Sequence, residues 1–374
     1  MPSPLDEYPI HQAPLSLRHV ATSDRNFYDR CIFQAHERTG DVFLITGLGV
    51  YPNLGVIDAF AVVRRGDEQL AVRASDALGD DRLSPAVGPF RIEVVEALRR
   101  VRVVCDADAQ GIGFDLTFDG TFPAIDEPQH VQRMGPKILL DACRFAQLGT
   151  WSGELRVDGT TIPVTPDTWV ATRDRSWGIR PVGGPEPPGR NADEPLEGFW
   201  WCWVPLRFED WCVMVILQEE PDGHRVLNEA TRVWADGRRE QLGWPEIDIR
   251  YTPGTRHPEG ATIALTDRNR RPLTVDVETR GFVPLHIGAG YGGDSEWTHG
   301  QWKGRNWVEG RRYDLSDPEV AGRIPWGVID HVARATCDGQ EGWGIFEHGT
   351  FGRHDPSGFE DWSSVAPGVQ GETP

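Results

Sequence analysis

Short runs that alternate polar and apolar residues, each closed by a tight turn signal, recur along the whole chain, and this punctuation limits the fold more than any other feature. Gly55 to Arg64 and Glu68 to Ala74 flank Arg65-Gly66-Asp67, and Phe114 to Phe118 stops at Asp119-Gly120. Glu154 to Val157 and Thr161 to Val164 flank Asp158-Gly159, and Ala335 to Cys337 and Gly342 to His348 flank Asp338-Gly339. Asp-Gly supplies the positive φ that a hairpin turn needs, and a period of two gives a strand one face to bury. The 42 glycines and 29 prolines fit such a turn-rich chain. The expectation is an all-β fold of the sandwich or barrel type. The strands are too many for one small barrel, and 374 residues suffice for two units of roughly 100–200 residues each. Two successive β domains are expected, with a boundary between 165 and 200.

All 15 tryptophans lie at or after Trp151, which suggests two units with different interiors. The segment Gly183 to Glu197 is Pro- and Gly-rich and aperiodic, so it reads as a long loop beside the boundary. Asp126 to Arg144 is looser, and Ile138 to Phe145 fits either a short helix or a strand. Pro325 to Ala333 is equally open. Gly47 and Gly49 are expected to break the strand Asp41 to Val50, and the chain from Ser364 onward reads as disordered.

A net charge of −19 disfavours nucleic acid and anionic membranes, which need basic patches. No segment has the length and apolarity of a membrane span, so membrane insertion is not expected. The amino terminus lacks the basic and apolar regions of a signal peptide. The six cysteines have neither CxxC nor zinc-finger spacing. A cytoplasmic protein with reduced thiols is the expectation; the oligomeric state is not readable.

Five clusters could carry chemistry. Thr172-Arg173-Asp174-Arg175-Ser176-Trp177-Gly178-Ile179-Arg180 packs one carboxylate, three guanidinium groups and an indole into a strand-like run. On a regular strand Arg173, Arg175 and Trp177 share one face and Asp174 and Ser176 the other. A bend at Gly178 would be needed to bring Asp174 and Trp177 together. A carboxyl in an apolar pocket can stay protonated and act as a general acid; the alternative is a structural ion pair with Arg173 or Arg180. Phe199, Trp201 and Trp203 share a strand face that could line a cavity or form plain core. Glu347 shares a face with Trp343 and Ile345, an unusual place for an acid, while His348 points the other way. Tyr51 and Asn53 precede Asp58, an acid inside an apolar stretch that would need a partner. His299 and Trp302 belong to a Trp/Gly-rich loop. Asp210 lies in a turn and is expected to be solvated. No nucleophile elbow, P-loop, HExxH or dinucleotide fingerprint is present, and the histidines form no metal-ligand series.

Asp174-Arg175-Ser176-Trp177-Gly178, followed by the aromatic strand from Phe199, resembles the D-H-x-W-G signature of the AttH-like and carotenoid 1,2-hydratase (hydroxyneurosporene synthase) group. Gly342-Trp343-Gly344-Ile345-Phe346-Glu347 is similar to that group's closing G-x-G-x-x-E segment. The pattern GLGVYPNLGVIDAF resembles an actinobacterial branch of it. The resemblance runs from about Phe27 to His354. It implies two successive lipocalin-like (calycin) β-barrels, here residues 1–180 and 181–374, the second Trp-rich. It also implies acid-catalysed water addition to a hydrophobic polyene without a cofactor, and related members act as cyclases and isomerases. Asp174 and Trp177 match the motif. Arg175 stands where the family has His, and arginine cannot donate a proton at neutral pH. The family's neighbouring-strand Tyr/Asp pair has no clear counterpart here, and Asp210 is a candidate for its acid.

The expected function is therefore cofactor-independent acid/base chemistry on a lipophilic terpenoid, steroid or polyketide-like molecule, of hydratase/dehydratase or isomerase/cyclase type. Asp174, Arg175 and Glu347 are the candidate catalytic residues. Trp177, Arg180, Trp201, Trp203, Tyr51, Asn53, His299 and Trp302 are the candidate substrate contacts, and no metal ligands are expected. A non-catalytic carrier of an apolar ligand and a carbohydrate binder using rim tryptophans are the rivals.

Overall fold

The computed structural model describes residues 3–186 and 196–367. The loop expected at Gly183 to Glu197 therefore falls largely outside the described residues. The protein is nearly all β, as the turn punctuation requires, and the strands form two antiparallel sheets. The first runs, edge to edge, through Trp307–Asp314, Glu68–Ala77, Val56–Arg65, Val42–Tyr51, Phe27–Glu37, Trp169–Ile179, Lys137–Val157, Ile112–Gly120, Arg100–Ala107 and Phe90–Glu96 to Ala86–Val87. The second has Gly198–Arg207 and Gln340–Gly352 at its centre. Trp307–Asp314 pairs with Glu68–Ala77, so a segment from late in the chain completes the edge of the first sheet.

Each sheet has its own apolar cluster, and a third cluster draws residues from both sheets. Cys31, Phe33, Phe114, Phe118, Trp151 and Trp169 belong to the first. Cys202, Val204, Leu206, Val213 and Val215 belong to the second. Ile32, Ile45, Phe60, Trp201, Trp203, Met214 and Ile345 form the third, the layer between the sheets. This follows from the period of two: Ile32 and Phe33 are neighbours in sequence and go to different clusters. Phe27–Glu37 has no exposed residue, so the polar residues on its second face meet the other sheet.

Two open readings are resolved and two expectations change. Ile138 to Phe145 is the start of one 21-residue strand, Lys137–Val157. Val42–Tyr51 is unbroken, and Gly47 is needed because a Cβ there would lie 2.4 Å from Ile32 Cδ1. Pro325 to Ala333 divides into a 3-10 turn, Ile324–Trp326, and a strand, Ile329–Cys337. Ser364 to Ala366 is docked: Arg256 Nε donates to the Ser364 carbonyl (2.7 Å), and Ala366 exchanges backbone bonds of 2.9 Å with Gly254 and Thr255. Residues 368–374 lie outside the described residues. All six cysteines are unpaired, and no helix among the described residues is long and apolar enough to cross a membrane.

Candidate active site

A cavity of about 250 Å³ opens within the layer between the sheets, and Asp174 lies in its wall. Register explains the placement. Trp169–Ile179 sits between Phe27–Glu37 and Lys137–Val157, and Ser176 is paired with Arg30 on one side and Arg144 on the other. Asp174 is two residues along on the same face. It is therefore diagonal to both arginines, at a Cα separation of about 7–8 Å. Across the cavity stand Phe199, Trp201 and Trp203, with Glu347 paired to Trp203 on the next strand. Tyr28, Tyr291, His130 and Arg180 complete the enclosure.

Burial pushes the Asp174 carboxyl up to about 7, against the pull of Arg144 and Arg30. Among the described residues nothing hydrogen-bonds to it. It can therefore hold or release a proton near neutral pH. His130 is the opposite case. Its ring stacks on Trp201 (centroids 5.9 Å apart) and neither nitrogen has a hydrogen-bond partner among the described residues. Burial, then Arg144, pushes it down to about 4, so it stands as a neutral imidazole able to accept a proton.

The other charges are organised around these two. Glu127 accepts from Trp203 Nε1 (2.8 Å) and pairs with Arg144 (3.4 Å). Glu347 accepts from Trp201 Nε1 (2.5 Å). Its cross-strand neighbour Asp330 is fully buried, takes a bond from Gln34 Nε2 (3.3 Å) and is pushed well up by burial and by the Glu347 charge. Arg30 donates to His299 Nδ1, whose ring is fixed by Nε2 bonding the Ala289 carbonyl (2.7 Å). That ring is stacked on Phe60 and held well below the usual histidine range by burial and by Arg30. Asp58, pushed up to about 7 by burial, accepts from Tyr51 Oη (3.0 Å) and Gly300 N–H (2.5 Å).

Of the residues singled out from sequence, the cavity gathers Asp174, Glu347, Arg180, Trp201 and Trp203. Tyr51 and His299 stand one layer behind, supporting Arg30 directly or through the Asp58 loop. Arg175, Trp177, Asn53 and Trp302 lie elsewhere. Arg175 forms a half-exposed ion pair with Asp29 (3.0 Å), and Trp177 is 39% exposed. The bend that would have turned Trp177 inward is absent, because pairing with Phe27–Glu37 runs without a register shift from Trp169 to Ile179. Gly178 answers to a different need: at φ +134° a Cβ would lie 2.1 Å from the Asp141 carbonyl oxygen. Asn53 Nδ2 clamps a turn by donating to the Thr22 and Asp24 carbonyls. Trp302 is 49% exposed, and Asp210 is exposed at a turn. Arg173 turns away, its guanidinium held by Gln147 Oε1.

Sequence reasoning missed Arg30, Arg144, His130, Glu127, Tyr28 and Tyr291. The one signal available was Phe27–Glu37, where Tyr28, Arg30 and Gln34 alternate with Cys31, Phe33 and Ala35; that pattern resembles an ordinary solvent-facing strand. Among the described residues no group of three His, Cys, Asp or Glu side chains is arranged to hold a metal ion.

The profile of a family of unknown function (DUF8625) matches residues 3–360. No curated protein sequence matches the chain. Among solved structures, the AttH-like protein of Nitrosomonas europaea aligns at a TM-score of 0.55 and 14% identity, covering 91% of this chain and 98% of that one. Kievitone hydratase from Nectria haematococca aligns at a TM-score of 0.49 and 13% identity, covering 85% of this chain and 88% of that one. The first of these likenesses establishes the AttH-like, lipocalin-type fold that the Asp174 motif resembles.

Proposed function

From the premise that the chain belongs to DUF8625, a family of unknown function, we propose that the cavity between the sheets is the active site of a cofactor-independent acid/base enzyme acting on a lipophilic small molecule. The reaction is of hydro-lyase type (hydration or dehydration) or an isomerisation or cyclisation. The observation that carries this reading is Asp174: a half-buried carboxyl in the wall of an aromatic cavity, raised to about 7, with no hydrogen-bond partner among the described residues.

In the hydration direction, the Asp174 carboxyl transfers its proton to one carbon of a C=C bond, or to an oxygen conjugated with it. Positive charge develops on the second carbon. The Glu347 carboxylate stabilises that charge, and the aromatic wall of Phe199, Trp201 and Trp203 excludes bulk water. Water adds to the cation and gives a proton to neutral His130. The proton returns from His130 to Asp174 through solvent, so the net change is addition of one water. Isomerisation uses the same first step and returns a proton from a neighbouring carbon to His130. General acid–base catalysis of this kind is worth about 10²–10⁴ in rate.

A carrier that only binds its ligand is the second reading, and the continuous apolar wall favours it: Phe199 stacks on Phe351 (5.0 Å), and Phe351 on the exposed Trp362 (5.8 Å). One experiment separates the two. Ligands co-purified with wild-type protein and with Asp174→Asn are identified by mass spectrometry. An unconverted precursor retained only by the variant is the expected result. The same unchanged ligand, equally abundant in both, would leave the carrier reading standing and the enzyme reading refuted.

A further inference from the structure

The cavity has a polar end that acid/base chemistry does not explain. Arg180 lines it, one residue past the end of the Asp174 strand, and its guanidinium lies over the rings of Tyr28 (5.5 Å) and Tyr291 (5.8 Å). No carboxylate or hydrogen-bond acceptor partners it among the described residues. Burial, and then the neighbouring Arg30, disfavour its charge. The other two arginines of the lining are engaged. Arg144 pairs with Glu127. Arg30 donates to His299 Nδ1, an uncharged acceptor, so its charge is oriented and not neutralised. Arg30 also lies over Tyr291, 5.0 Å from the ring centre. Two guanidinium groups therefore share the faces of Tyr28 and Tyr291, with no anion between them on the protein side.

An arrangement of like charges in a low-dielectric wall is costly when left alone. It is favourable when a planar anion completes it, because guanidinium groups stacked on aromatic faces keep their edge N–H donors free for a forked contact. Protonated Asp174, the state required of an acid, removes one protein anion from the same space. We propose that the ligand of this cavity is an amphipathic organic acid: an apolar aromatic or polyene body lying against Phe199, Trp201 and Trp203, with a carboxylate or equally acidic enol oxygen seated on Arg180 and Arg30. This rests on the cavity being the ligand site, as proposed above; it does not require the site to be catalytic.

The test compares two ligands of one shape, 2-naphthoate and 2-naphthamide, titrated calorimetrically into the full chain. Wild type binds the carboxylate roughly 10- to 100-fold more tightly than the amide, the range expected of a charge-assisted pair. Arg180→Met loses that preference and keeps amide affinity within about 2-fold, and Arg180→Lys retains part of it. Equal affinities in wild type, preference for the amide, no binding of either, or an unchanged preference in Arg180→Met overturns the proposal. If Arg180→Met fails to fold, seen as loss of its circular-dichroism signature, the wild-type ratio decides alone. Asp174→Asn keeps the carboxylate preference. A lost preference with intact ligand conversion defeats this inference alone, and an intact preference with no Asp174 effect on conversion defeats catalysis alone.

Discussion

Two pockets in this molecule are built from the same kinds of side chain, and they differ in whether those side chains are already engaged. The second, about 630 Å³, lies on the second sheet and is lined by Trp200, Glu219, Arg225, Tyr251, His354 and Ser357 among others. There Glu219 accepts from Arg225 Nε (2.9 Å) and pairs with His354 Nε2 (3.0 Å), while His354 Nδ1 meets Ser357 Oγ (2.8 Å). Tyr251 Oη bonds His348 Nε2 (3.0 Å), and His348 Nδ1 bonds the Trp201 carbonyl (2.7 Å). Every named acid and imidazole in that pocket has a partner within the protein. In the cavity between the sheets, Asp174, His130 and Arg180 have none among the described residues. Buried polar groups ordinarily find partners, so the larger pocket reads as a network that fastens the chain end, and the smaller one as a place that waits for a ligand.

The largest expected effect breaks this contrast if it fails. Asp174→Asn lowers conversion of the native ligand about 10²–10⁴-fold, while Glu219→Gln changes it by less than about 3-fold; product formation by mass spectrometry measures both. Comparable losses in the two variants would mean that the pockets are not functionally distinct. Activity also has a pH sign. Asp174 acts as an acid only when protonated, so conversion falls as pH rises through about 7, as a pH–rate profile would show.

Stability reverses the order of the pockets. Glu219→Ala leaves buried His354 and Arg225 without their acceptor and costs about 2–4 kcal/mol in urea unfolding. Asp174→Asn does the opposite. A carboxyl raised from 3.8 to about 7 binds its proton more tightly folded than unfolded. The unfolded state therefore loses the proton first, and stability falls as pH rises from about 4 to about 7 and then levels. Removing that group is expected to stabilise the protein by about 1–3 kcal/mol at pH 8 and by little at pH 4. Equal unfolding free energies at pH 8 would argue that Asp174 is not buried as an acid. The smallest effect belongs to the motif's outer face: Arg175→Ala removes a half-exposed pair, costs under about 1 kcal/mol and leaves conversion unchanged. A large loss there would return Arg175 to the site.

Particular residues show how far the sequence could be read. The hairpin at Arg65-Gly66-Asp67 and the one at Asp338-Gly339 appear as their turn chemistry requires. Asp174 was conspicuous because a carboxylate among arginines and an indole is rare on a strand. Its true companions were not conspicuous. Arg30 precedes it by 144 positions and reaches it through antiparallel register, and His130 arrives on a short strand, His130–Met134, in a segment without clear period. The tryptophan asymmetry also proved only partly structural: Trp151 and Trp169 belong to the first sheet's apolar cluster, while Trp297 joins the layer between the sheets.

By itself, the sequence determined the class of fold, the alternation that sends Asp174 and Arg175 to opposite faces, and the strand face shared by Phe199, Trp201 and Trp203. These are local properties, set by the period of two and by turn residues acting over a few positions. Only the tertiary structure decided that the polar face of Phe27–Glu37 looks into a second sheet and away from water. It alone decided that Trp177 stays outside, and that Asp174, His130 and Arg180 stand together without partners among the described residues. The physical reason is that a side chain's chemistry depends on its solvation, and solvation here is set by which sheet closes over which face.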